Sequence, residues 1–129
     1  MASEGIEAMG AGRHCVFEYL YRDADNFKAW GTLLLKGSLT TAQVDAMRSI
    51  FEEGEYFVAE QIGVPPLCKE LWKYSGGCTK SDHAWHEFHE ARQADENDLI
   101  IGAPWGAAND LFEAVMRISR WDESFSLCC

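Results

Sequence analysis

Residues 15–35, CVFEYLYRDADNFKAWGTLLL, decide the fold. Cys15 to Tyr21 is rich in strand-favouring residues and alternates. Phe17, Tyr19 and Tyr21 fall on one side, Val16, Glu18 and Leu20 on the other, which is the period of a strand. The polar run RDADNFK (Arg22 to Lys28) then breaks the pattern, and Trp30 to Leu35 (WGTLLL) resumes it. Two such runs joined by a short polar connection predict an antiparallel hairpin.

Downstream of the hairpin the period changes. Thr40 stands where a helix N-cap would, with Gln43 three residues on, the reciprocal capping pattern. Leu39 before the cap can pack on Val44. Val44, Met47, Ile50 and Phe51 share one helical face and Gly54 supplies a stop, so a helix is predicted from Thr41 to Glu53. Glu55 to Ala59 (EYFVA) reads as a strand or extended segment that ends before Pro65–Pro66. Leu67 to Tyr74 is ambiguous, with a helical turn as one reading, and Ser75–Gly76–Gly77 closes it. His83 to Ala91 (HAWHEFHEA) reads either way, the alternation of Trp85 and Phe88 slightly favouring a strand. QADEND is predicted as a loop, and Leu99 to Ile101 is too short to assign. A last helix runs from about Ala107 to Trp121, with Leu111, Phe112, Val115 and Ile118 as its buried stripe. The expected class is α+β: two layers, a mainly antiparallel sheet with two helices packed on one face. Residues 1–13 are expected to be a flexible leader, 14–123 the single domain and 124–129 a frayed, cysteine-containing tail.

Composition sets the outer limits. With 129 residues, 47% hydrophobic and 12% aromatic, the chain can bury one core, and disorder over its whole length is excluded. No apolar run reaches the roughly 18 residues of a membrane-spanning helix. Lys and Arg total 11 against 21 Asp and Glu, a net charge of −10. Clustered cations for nucleic-acid phosphates or an anionic membrane are missing, and the acidity suits a basic protein partner instead. Met1 to Gly12 has neither a basic start nor an apolar stretch, so it does not read as an export signal. Five cysteines, an odd number without a CxxC pair, predict free thiols in a reducing cytosol, with Cys128–Cys129 on a loose end that oxidises between molecules. The chain is therefore expected to be cytoplasmic.

Three blocks carry a resemblance: YLYRDADNFKAWG (Tyr19 to Gly31), GEYFVAEQIGVPPL (Gly54 to Leu67) and DHAWHEF (Asp82 to Phe88). In this order they resemble a family of small bacterial proteins of unknown function whose members carry YRD-x-x-N-x-K, GEYF followed by G-[IV]-P, and DH-x-WHEF. The resemblance runs from Tyr19 to about Glu90 and implies one domain. The scattering of such genes implies a mobile or phage-linked accessory gene. It brings no activity, cofactor or catalytic assignment.

Chemistry concentrates in the third block. Of four histidines, His83, His86 and His89 lie together beside Asp82, Glu87 and Glu90, donors suited to zinc or iron. On a helix His83 and His86 would be neighbours and the candidate metal pair. On a strand His83 and His89 would share a face roughly 20 Å apart, with His86 on the other. The spacing is neither HExxH nor that of a zinc deaminase. Arg22, Asp23, Asn26 and Lys28 follow a strand, where loops present binding groups, though Asp23 and Asn26 are equally turn formers. Of five tryptophans, Trp30 and Trp85 are expected in the core and Trp105 as an exposed anchor.

The candidate ligand site joins the three blocks: Tyr21, Arg22, Asn26, Lys28, Glu55, Trp85, His86 and Glu87. The segments around Tyr21–Arg22, Glu55–Phe57 and Trp85–Glu87 are expected to converge, with Arg22 opposite Glu55 or Glu87. Unpaired, those charges could not be buried. The expected function is a non-enzymatic interaction or ligand-binding module that self-associates as a homodimer, without a cofactor. It would take a small ligand or a basic protein partner, with no nucleic acid and no membrane. The alternative is a small-molecule or metal-dependent enzyme built on His83–Glu90.

Overall fold

A computed structural model describes residues 13–100 and 102–128. The hairpin forms as the alternation predicts. Strand β1 (His14–Arg22) pairs antiparallel with β2 (Lys28–Lys36), His14 opposite Lys36 at one end and Arg22 opposite Lys28 at the other. The connection is held by Asp23, whose Oδ1 accepts from the backbone N–H groups of Asp25 and Phe27. Asn26 takes φ 70°, a left-handed conformation that asparagine tolerates.

Around this hairpin the remaining elements assemble in chain order. Helix α1 spans Thr41–Ile50, with Thr40 and Gln43 exchanging both capping hydrogen bonds. It stops short of the predicted Glu53 because Phe51 is already extended and Glu53 and Gly54 both take positive φ. Strand β3 (Tyr56–Val58) leads into a 3-10 turn at Ala59–Ile62, and α2 (Cys68–Ser75) follows. Strand β4 (Trp85–Gln93) resolves the ambiguous histidine block as extended. Where a loop was expected, α3 (Glu96–Ile100) forms. Its start is an acidic version of the capping exchange: Asp98 N–H donates to Asp95 Oδ1 at 3.0 Å, and Asp95 N–H donates to Asp98 Oδ2 at 2.8 Å. A two-residue strand, β5 (Gly106–Ala107), runs into α4 (Ala108–Met116), shorter than the predicted Ala107–Trp121.

The fold is α+β, with strand order β3-β4-β1-β2-β5. All pairings are antiparallel except β2 with β5, so the sheet is mainly antiparallel with one parallel edge. Its core face carries Phe17, Tyr19, Leu33, Leu35 and Phe57, packed with Met47 and Phe51 from the α1 region and Leu111 and Val115 from α4. Burying each such side chain contributes about 1.5–3 kcal/mol. Between Glu18 and Tyr19 the β1–β4 register slips by one residue: Tyr19 faces Phe88, Glu18 faces Glu90, and His89 is the extra residue of a bulge.

Several expectations are corrected. Cys68 and Cys128 are not free thiols; they form a disulfide closing 60 residues, and both are fully buried. The C-terminal segment is consequently docked rather than frayed: Leu127 N–H and Ser126 Oγ both donate to Glu60 Oε2. Among the described residues the free cysteine is Cys15, buried in the sheet. Trp30 is 57% exposed, because alternation separates two strand faces without saying which one a helix will cover. Trp105 is no free anchor; its indole N–H donates to the carbonyl of Gly63 at 3.0 Å. The expected leader, apart from Arg13, and Cys129 lie outside the described residues.

Candidate functional site

The three blocks meet where β3, β4 and β1 adjoin. Phe57 pairs with His86 and His86 with Tyr21, while Tyr56 pairs with Glu87 and Glu87 with Leu20. Because neighbours along a strand point to opposite faces, the convergence splits into two layers. Tyr21, Phe57 and His86 stack inside, with ring centroids 5.3 Å apart for Tyr21–His86 and 6.0 Å for Phe57–His86. On the outer face Arg22 pairs with Glu87, its Nε 2.9 Å from Oε2, and its Nη1 donates to Asn26 Oδ1 at 2.6 Å. The Arg22–Glu87 pairing is the expected one; Glu55 instead accepts the Phe88 N–H through its backbone carbonyl at 2.7 Å. Trp85 packs edge-on to Trp121.

Both histidines considered for metal have their nitrogens engaged by backbone. His83 Nδ1 accepts from the N–H of Trp85, so its proton sits on Nε2, which donates to the carbonyl of Arg22 at 2.7 Å. His86 Nε2 accepts from the N–H of Leu67 at 2.9 Å, leaving Nδ1 as the protonated nitrogen facing the carbonyl of Ala84. A metal needs a free imidazole lone pair. Neither ring has one, so the His83–His86 pair is structural here. Burial also pushes the pKa of His86 down to about 4, which keeps the ring neutral.

Beside this junction lies a second, smaller core. Tyr21 and the Cys68–Cys128 disulfide are its buried centre, with Leu67, Leu71 and Trp72 packed against them. Above it opens a cleft of about 480 Å³ between the β1–β2 connection and α2, lined by Asp23, Phe27 and Lys28 on one side and Leu71, Trp72, Tyr74 and Ser75 on the other, with Thr79 and Asp82 between. The β1–β2 connection is tied to the segment between the walls: the N–H of Ala24 donates to the carbonyl of Ser81, and Ser81 Oγ bonds Asp25 Oδ2.

Asp82 organises the cleft. Its Oδ1 accepts from Tyr21 Oη at 2.6 Å, and its Oδ2 from Trp72 Nε1 at 3.0 Å and the N–H of Thr79 at 2.9 Å. Partial burial works to raise the carboxyl pKa. The bonds from Tyr21, Thr79 and Trp72 outweigh it and hold the group below its ordinary value. Burial, then the bond to Asp82, pushes the Tyr21 phenol well above its usual range, so Tyr21 stays a donor.

Of the polar groups singled out between Arg22 and Lys28, Asp23 and Lys28 line this cleft, and Lys28 alone of those in the joined candidate site. Tyr21 supports its floor, and Arg22 and Asn26 brace the outer face of the same connection. Trp72, Tyr74, Phe27 and Asp82 were missed as cleft residues. Asp82 heads the DHAWHEF block and was the legible signal. The aromatics of α2 and the connection come together only through the tertiary fold. Comparisons of the chain with family models, curated proteins and solved structures found no match.

Proposed function

We propose that this chain is a ligand-binding module whose cleft takes a small ligand with an apolar body and a cationic group. The observation that carries this reading is Asp82: an ionised carboxylate between the cleft walls, oriented by three donors, beside the aromatic surfaces of Trp72, Phe27 and Tyr74. An apolar wall with a few oriented polar groups is what a small-ligand site requires. Two carboxylates, Asp23 and Asp82, stand against one cation, Lys28, and aromatic faces attract positive charge further. The same preference extends to a basic side chain of a protein partner, as the net charge of −10 favours.

The outermost strands are three and two residues long, too short for extensive edge pairing. A homodimer would therefore use the sheet face around the exposed Trp30. The buried disulfide supports an oxidising setting in place of a reducing cytoplasm. No helix among the described residues is long and apolar enough to cross a membrane.

The test is an NMR titration following the indole N–H of Trp72, with phenethylamine and phenylacetate as probes of opposite charge on one apolar body. A saturable shift with the amine, weakened about tenfold or more by Asp23→Asn, is the expected result; one charge contact removed from a partly shielded site corresponds to that factor. No response, or an equal response to phenylacetate, overturns the reading.

A further inference from the structure

The sheet face opposite the main core holds a second cluster of chemically active side chains, none of which lines the cleft. In a regular strand His89 and Glu90 would point to opposite faces. The one-residue slip of register between Glu18 and Tyr19 makes His89 the extra residue, and this brings it onto the same face as Glu90. Glu18 is the direct cross-strand partner of Glu90. Ligand atoms of Glu18, His89 and Glu90 all lie within 4.8 Å of one another.

This arrangement is electrostatically unfinished. Like charges directly opposite on paired strands destabilise the pair. Arg92 answers Glu18 through one oxygen only, Nε to Oε2 at 2.8 Å, while its two Nη atoms hold Asp98 at 2.7 and 3.1 Å. Among the described residues no ion pair involves Glu90. The Glu18 and Glu90 carboxylates thus face each other across the strands with an imidazole beside them.

We propose that Glu18, His89 and Glu90 form a binding site for a divalent transition-metal ion, zinc foremost. An imidazole nitrogen in the set favours zinc, iron or nickel over magnesium and calcium, which take all-oxygen shells. Donors bound to one zinc at about 2.1 Å stand about 3–3.5 Å apart, so the side chains close on the ion by a small rotation of exposed groups. The Trp30 ring meets His89 edge-on with centroids 5.1 Å apart and limits the directions in which the imidazole can turn. Arg92 orients the Glu18 carboxylate through Oε2, the outer support that metal ligands commonly have. Water completes the coordination, so the ion sits on an accessible face.

The experiment is a calorimetric titration of the full, disulfide-intact chain with zinc chloride, repeated with cobalt(II) to read coordination from its visible absorption. The expected result is a zinc site of one ion per chain, weakened tenfold or more by His89→Ala and likewise by Glu90→Gln, with His14→Ala unchanged. His89 and Glu90 are exposed, so His89→Ala should stay folded in metal-free buffer, and Glu90→Gln, which relieves the repulsion with Glu18, should unfold no earlier than the wild type. His89→Asn repeats the test with a smaller change of shape. Absence of zinc binding, or unchanged affinity in the His89 and Glu90 variants, overturns the proposal. So does magnesium competing at equal concentration.

Discussion

His86 has no exposed surface and sits where β3, β4 and β1 join, accepting the N–H of Leu67 and packed between Tyr21, Tyr19 and Phe57. Its folded pKa of about 4 against an ordinary 6.5 makes it a pH-dependent element of stability. Above pH 6.5 the ring is neutral in both states and its contribution is complete. As the pH falls from 6.5 toward 4, the unfolded chain takes up a proton that the folded chain refuses, and stability drops by roughly 3 kcal/mol in all. Urea unfolding at a series of pH values across this window should show the decline. His86→Gln, which keeps an acceptor for Leu67 but does not titrate, should flatten it. A slope unchanged in that variant would assign the effect to other groups. The lowered carboxyls of Asp82 and Asp98 act in a separate window, below their ordinary value of 3.8.

Strand β2 contains one position where a side chain has no room. A Cβ on Gly31 would stand 2.9 Å from the Tyr19 ring and 2.9 Å from Leu67 Cδ1. Tyr19 is the cross-strand partner of Gly31, and its hydroxyl donates to the carbonyl of Pro65 at 2.7 Å. The ring therefore lies over the glycine and anchors the segment leading into α2. Gly31→Ala should destabilise the fold by about 1–3 kcal/mol, the usual cost of overpacking, as measured by the urea midpoint. A near-neutral result would mean that Tyr19 and the Pro65–Leu67 segment can shift aside. The α1 cap is a smaller, local contribution: Thr40→Ala removes the bond to the Gln43 N–H and should cost about 1 kcal/mol.

For the whole molecule the unequal sizes of the two cores matter most. The main cluster is closed by α1 and α4, whereas the second has three buried residues, two of them the disulfide cysteines. Closing 60 residues restricts the unfolded chain, and losing the link should cost about 2–4 kcal/mol. Unfolding of the Cys68→Ser, Cys128→Ser double variant beside the wild type, both under oxidising conditions, checks this. Hydrogen exchange should show the loosening first in α2 and the C-terminal segment, because the strands and helices around the main core do not depend on the link. Equal stability of the double variant and the wild type would show that packing of Leu71 and Trp72 secures this end of the molecule without the link.

The hairpin, the α1 cap, the strand faces of Phe17, Tyr19 and Tyr21, and the α+β class were all legible in the sequence. Each rests on interactions within a few residues, where period and capping chemistry act directly. Partners distant in the chain were not legible in the same way. Alternation separated Trp30 from Leu33 and Leu35 but could not say which face α1 and α4 would cover. The histidine block revealed its donors, yet only the pairing of β4 with β1 engages His83 and His86 with backbone groups and introduces the bulge that puts His89 and Glu90 on one face. The link between Cys68 and Cys128 and the aromatic cleft over it likewise depend on contacts across tens of residues. Such contacts follow from how faces are buried and which donors meet, and that is decided when the elements pack.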